Sequence, residues 1–114
     1  MQLMCRHSEE GQVGCLEIFD VPVLKFSTGC KVPHMGWNTV RDVKEPLFSA
    51  EQENDYLYYV HSFYAPVCAE TMAVSEYGTV FSAALRKDNF YAVQFHPEKS
   101  GPAGKRILEN FLSL

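Results

Sequence analysis

Between Met72 and Phe95 the chain alternates apolar runs with turn residues, and this pattern most limits the folds open to it. Met72 to Tyr77 and Val80 to Leu85 flank Gly78-Thr79, a hairpin signal. Arg86 to Asn89 supplies a second turn that leads into Phe90 to Phe95. The pattern predicts a three-strand antiparallel meander ending at His96-Pro97-Glu98. Beyond Gly101-Pro102 the spacing becomes helical, with Ile107, Leu108, Phe111 and Leu112 on one face. Upstream, Tyr56 to Val60 reads as a buried central strand, and Val21 to Phe26 and Lys31 to Val40 as extended segments punctuated by Pro22, Gly29, Pro33 and Gly36. Acidic Ser49 to Asp55 reads as a solvated loop or helical turn. Met1, Met4, Cys5 and Ser8 share a helical face with Gly11 as a stop, so a short helix is expected at the start. Strands with a helix at each end give an α/β or α+β domain.

A chain of 114 residues fits one domain. Hydrophobic content of 46% with 21% charged residues rules out wholesale disorder. The longest apolar run, Tyr56 to Val60, falls far short of the ~20 residues a bilayer span needs. A net charge of −4 argues against nucleic acid or an anionic membrane as the main partner, because both demand a clustered basic face. Met1 to Ser8 lacks the basic and apolar regions of a secretory signal. Cys5, Cys15, Cys30 and Cys68 form no CxxC pair and are too sparse for a disulfide scaffold, which predicts reduced thiols in a soluble cytoplasmic protein. No metal-ligand spacing appears, and no cofactor is implied.

The chemistry concentrates at Gln94-Phe95-His96-Pro97-Glu98-Lys99-Ser100. His96 and Glu98 stand two apart at a strand end, which predicts side chains on the same side. A carboxylate there accepts the imidazole N–H, fixes the tautomer and stabilises the imidazolium, as in the orienter-and-base half of a nucleophilic triad. A surface turn with an incidental ion pair is the plainer reading. His34 and His61 read as structural histidines, and His7, on the expected first helix, as solvent-facing. Trp37, the single tryptophan, suits either an interface or a core.

Three stretches occur in order: Pro33-His34-Met35-Gly36-Trp37-Asn38, Val60-His61-Ser62-Phe63-Tyr64 and Gln94 to Ser100. Together they resemble the class I (triad) glutamine amidotransferases, and within them the glutaminase subunit of imidazole glycerol phosphate synthase in histidine biosynthesis. The Phe-His-Pro-Glu element marks the superfamily, and Pro-His-Met-Gly-Trp-Asn is more specific to the histidine-pathway subunit. The resemblance covers essentially all 114 residues. It implies the C-terminal part of the class I amidotransferase α/β fold, a mixed sheet with an antiparallel meander and flanking helices.

The family's nucleophile is the Cys of a Gly-x-Cys-x-Gly elbow followed by Met-Gln. Met1-Gln2-Leu3-Met4 is similar to that downstream flank, so the elbow is expected just before Met1. None of the four cysteines replaces it: Gly14-Cys15-Leu16-Glu17 lacks the second glycine of the tight turn. Residues 1–114 are therefore expected to form a partial amidotransferase domain, without its N-terminal strands and nucleophile.

The resemblance implies His96 as general base and acid, with Glu98 orienting it. It implies Gln2, His61, Ser62 and Phe63 as glutamine contacts. Pro33, His34, Met35, Gly36, Trp37 and Asn38 are implied as the face toward a synthase (cyclase) barrel that receives ammonia. Another triad amidotransferase, of nucleotide or aminobenzoate synthesis, and a non-catalytic partner-binding module are the alternatives. Pro33 to Asn38 argues against the first of these. An open strand edge left by absent strands leads us to expect self-association of the chain.

Overall fold

A computed structural model describes residues 1–114. In chain order the strands are β1 (His7–Ser8), β2 (Val13–Gly14), β3 (Pro22–Lys25), β4 (His34–Thr39), β5 (Tyr56–His61), β6 (Phe63–Tyr64), β7 (Thr71–Glu76), β8 (Val80–Lys87) and β9 (Phe90–Val93). One α-helix, α1 (Gly101–Leu112), closes the chain. The fold is mixed α/β with a partly parallel sheet. A four-stranded sheet runs β2-β1-β3-β6, its β1–β3 pair parallel and the others antiparallel. The meander β7-β8-β9 and the ribbon β4-β5 are both antiparallel.

The meander forms where the turn residues predicted it. Gly78 at φ 70° and Asp88 at φ 55° take the left-handed conformation that tight reversals require. The last strand stops at Val93, earlier than expected: Gln94 still bonds to β8, and by His96 the backbone has turned to β5. Gln94 N–H donates to the Ala83 carbonyl at 2.9 Å, and His96 N–H to the Tyr58 carbonyl of β5 at 2.9 Å.

Three expectations are corrected. The first helix is only a 3-10 turn, Gln2–Met4, after which the chain extends into β1. Arg6 N–H donates to Val21 at 3.0 Å and Glu9 N–H to Val23 at 2.9 Å, so strand pairing overrides a periodicity too short to sustain a helix alone. His7 consequently lies half-buried in a strand, and not on a solvent-facing helix. The buried faces of Cys5 and Ser8 are nonetheless the ones the pattern marked.

Tyr56 to Val60 is not a central strand. β5 pairs only with β4 and alternates, with Leu57, Tyr59 and His61 buried while Tyr56 and Val60 face outward. Tyrosines made the run look apolar throughout, although a phenol tolerates a wet face.

In α1, Leu108, Phe111 and Leu112 are exposed, and Gly104 and Ile107 are the buried positions. The helix is turned by its closest approach. A Cβ on Gly104 would overlap the Pro97 carbonyl and lie 2.8 Å from Ser100 Cβ, so the glycine itself seats α1 on the preceding turn. Asn110, on the same side, donates to the Leu47 carbonyl at 2.9 Å.

Two apolar clusters fill the interior. The larger joins β5, the meander and α1 through Phe26, Leu57, Tyr59, Phe81, Phe95 and Ile107, and the smaller joins Cys5, Phe19, Val23 and Leu85. Each such side chain contributes on the order of 1.5–3 kcal/mol on burial. Ser75 ties the ribbon to the meander, donating to the Thr39 carbonyl at 2.8 Å and bonding Tyr59 Oη at 2.6 Å. No helix is long and apolar enough to cross a membrane.

Candidate functional site

A cavity of about 460 Å³ lies where four segments meet: the N-terminal turn, the β1–β2 turn, the β5–β6 junction and the end of β9 with the stretch after it. His96 stands on its wall, and its backbone is pinned twice. Its N–H donates to Tyr58, and its carbonyl accepts the Ser100 hydroxyl at 2.6 Å. Ser100 Oγ in turn accepts the Tyr58 N–H at 2.9 Å, so one buried hydroxyl locks the end of β9 to β5.

Pro97–Lys99 then form a 3-10 turn, started by the proline's fixed φ. This turn brings Glu98 back onto His96, with Oε1 2.9 Å from Nδ1. The two side chains meet as expected, but through helical curvature and not strand alternation. The carboxylate accepts the Nδ1 proton, which leaves Nε2 as the ring's second functional nitrogen. Backbone N–H donation and then the His96 bond hold the Glu98 carboxyl below its ordinary range, so it stays anionic beside the ring.

Gln2 faces them from the N-terminal turn. Its Nε2 donates to the Phe63 carbonyl and to Gln94 Oε1, both at 2.8 Å. With both amide hydrogens engaged, its Oε1 is the atom left to receive a ligand N–H. His61, Ser62 and Phe63 line the adjoining wall. The structure therefore gathers Gln2, His61, Ser62, Phe63 and His96 around one cavity, with Glu98 behind His96.

Two residues were missed from the sequence. Glu10 lines the cavity, its N–H fixed to Ser8 Oγ at 3.0 Å, and it adds a carboxylate suited to an ammonium group. Ser100 was read only as the end of a motif. Its bond to Tyr58 spans 42 positions and leaves no local signal.

No cysteine lines this cavity. Burial pushes the Cys5 thiol up to about 11 and raises Cys68 as well, the opposite of an activated thiolate. All four cysteines are free thiols.

The segment Pro33 to Asn38 divides between two faces. Pro33, Met35 and Trp37 are exposed, Trp37 by 55%, which settles it as a surface residue. Trp37 lies across from Tyr58 with ring centroids 5.9 Å apart, and Met35 across from Val60, so an apolar row crosses the ribbon. Gly36 lies between them at φ 124°, a conformation that glycine alone adopts freely. His34 is buried beneath the row, 2.9 Å from His61 Nε2, and Asn38 is half-buried, so these two support the face from below.

The family model for glutamine amidotransferase class-I matches residues 1–114. The chain belongs to that family. It is 60% identical to the imidazole glycerol phosphate synthase subunit HisH of Bacteroides thetaiotaomicron and 49% identical to that of Pectobacterium atrosepticum, in each case over all of this chain and 60% of the relative. The chain thus spans about 60% of the length of the curated relatives it matches. Among solved structures, a protein from Thermoplasma acidophilum described as a putative GMP synthase subunit superimposes with a TM-score of 0.64 at 22% identity. That match covers 83% of this chain and 48% of the other, and it supports the fold alone.

Proposed function

We propose that this chain forms part of a glutaminase that hydrolyses glutamine and passes ammonia to a synthase barrel making imidazole glycerol phosphate. The observation that carries the reading is His96, backed by Glu98, on the wall of a cavity where Gln2 and Glu10 suit an amino acid's ammonium end. The 60% identity to HisH of Bacteroides thetaiotaomicron supports the pathway.

In this reading the nucleophilic thiol comes from a segment outside residues 1–114, which are one portion of the amidotransferase domain. The thiolate attacks the side-chain amide carbon of glutamine, and His96, as imidazolium, donates its Nε2 proton to the departing ammonia. Water then gives a proton to His96 and attacks the thioester, releasing glutamate and the thiol. Glu98 keeps the ring in one tautomer through both transfers. The Met35–Trp37 row is the face offered to the barrel. Alone, the chain self-associates by covering an open strand edge.

Titration calorimetry with L-glutamine tests the cavity directly, comparing the chain with Gln2→Ala. Binding that the substitution weakens at least several-fold is expected, and equal affinity in both proteins refutes the site. In a protein of the relatives' full length, His96→Ala should lower turnover by orders of magnitude.

A further inference from the structure

Behind the cavity, His34 and His61 form a hydrogen-bonded chain whose polarity follows atom by atom. The Phe63 carbonyl only accepts, so His61 Nδ1, 2.7 Å away, carries the proton. A neutral ring protonated there leaves Nε2 a bare acceptor. His34 Nδ1, 2.9 Å from it, is therefore the donor. His34 Nε2 is then an acceptor as well, and it faces the Asn38 amide nitrogen at 3.3 Å. Asn38 is oriented by the same accounting, since Nδ2 donates to the Glu76 carbonyl and Oδ1 accepts the Thr39 N–H, each at 2.8 Å. Adding a proton to His61 would reverse His34 and set its N–H against the Asn38 amide.

The surroundings keep the chain neutral. His34 is stacked between Tyr59 and Tyr77, centroids 5.0 and 4.1 Å away, and His61 packs against Phe26 and Phe81 at 5.2 and 5.1 Å. Burial pushes His34 down to about 4 and lowers His61 as well. The chain ends on the Phe63 carbonyl, the oxygen that also receives Gln2 Nε2.

We propose that His34, which does not line the cavity, is a positioning residue for it. Its Nδ1–H acts through the neutral His61 ring to hold the Phe63 carbonyl where Gln2 must turn its Oε1 toward the ligand. Because His34 and Asn38 lie on β4, the same bonds tie the cavity to the strand that carries Trp37. This rests on reading the cavity as a glutamine site.

The test begins with the unaltered chain, labelled with 15N-histidine. Two-bond 1H–15N spectra at pH 7 should show both His34 and His61 as Nδ1–H tautomers. An Nε2–H tautomer at either position overturns the proposal. His34→Leu and His34→Asn are then compared, since the asparagine amide replaces the Nδ1–H donor and leucine does not. His34→Leu should move the Gln2 side-chain amide resonances and weaken glutamine binding roughly 3- to 10-fold, the range of one buried hydrogen bond. His34→Asn should keep both within about two-fold of the unaltered chain. Gln2 resonances that stay fixed in His34→Leu, or an asparagine variant as weak as leucine, overturn the role. If the unaltered chain binds no glutamine, the cavity's reading fails, and the Gln2 resonances still decide for or against His34.

Discussion

Acidification from pH 8 to pH 5 should destabilise this fold through His34. The unfolded ring takes a proton near its ordinary value of 6.5, whereas the folded ring resists until about 4. A folded-state value below the unfolded one means that stability is fully present above pH 6.5. It is lost as pH falls through the window toward 4, because there the unfolded chain binds the extra proton. For these two values the loss is about 0.8 kcal/mol at pH 6 and about 2 kcal/mol at pH 5. His61 is shifted in the same direction and adds to the loss. Glu53 and Glu98 are also held below their ordinary carboxylate range, so their stabilisation is present above about 4.5 and disappears only beneath it. Between pH 8 and pH 5 the shifted groups are therefore the histidines and the Met1 amine, which burial also lowers.

Urea unfolding at pH 8, 6 and 5 measures the effect, with His34→Asn as the control. The asparagine keeps a donor toward His61 and cannot titrate. Groups remote from position 34, the Met1 amine among them, are common to both proteins and cancel in the comparison. The unaltered chain should lose about 2 kcal/mol more than the variant between pH 8 and pH 5, a large share of the 5–15 kcal/mol that holds a typical domain together. Parallel pH profiles for the two proteins would refute the reasoning. They would mean that the buried ring already exchanges protons with solvent while the fold stays closed.

Trp37→Ala should leave the melting temperature nearly unchanged, since the ring is 55% exposed, and weaken capture by the synthase barrel by about 2 kcal/mol or roughly 30-fold. Surface plasmon resonance checks the second half and a thermal melt the first. Gly104→Ala should cost about 3 kcal/mol or more in urea, because the methyl would have to displace the Pro97 carbonyl and with it the turn that brings Glu98 to His96. An alanine variant of unchanged stability would show that α1 is not seated by that contact. The 114-residue chain alone should release no ammonia from glutamine above background, while light scattering after size exclusion should report a species larger than a monomer.

What was legible in the sequence was what is local. Gly78 and the Asp88-Asn89 turn carry their own backbone chemistry, so the meander followed from them. His96 and Glu98 are close in sequence, and their meeting needed no knowledge of the rest. The N-terminal segment failed for the complementary reason. Its structure is set by pairing with Pro22 and Val23, and eight residues of periodicity cannot register a partner so far along the chain. β5 was misplaced because tyrosine satisfies both a buried and a wet position. Glu10 and Ser100 carried no signal, since one only reaches the cavity through a fold of β1 and the other acts on a backbone N–H 42 positions away.

The ribbon β4–β5 shows how one local rule builds two different faces. Successive residues on a strand face opposite sides, so Met35 and Trp37 cannot be presented outward without His34 turning inward. The facing strand obeys the same rule, setting Tyr56 and Val60 outside and Tyr59 and His61 inside. The register pairs His34 directly with His61, and Trp37 with Tyr58. A slip of one residue would move all of these to the wrong face at once. The apolar row and the imidazole chain are thus two sides of a single two-stranded element, about one side chain thick. Any partner that presses on Trp37 and Met35 loads the strands that hold His34 against His61, and the cavity lies at the far end of that contact.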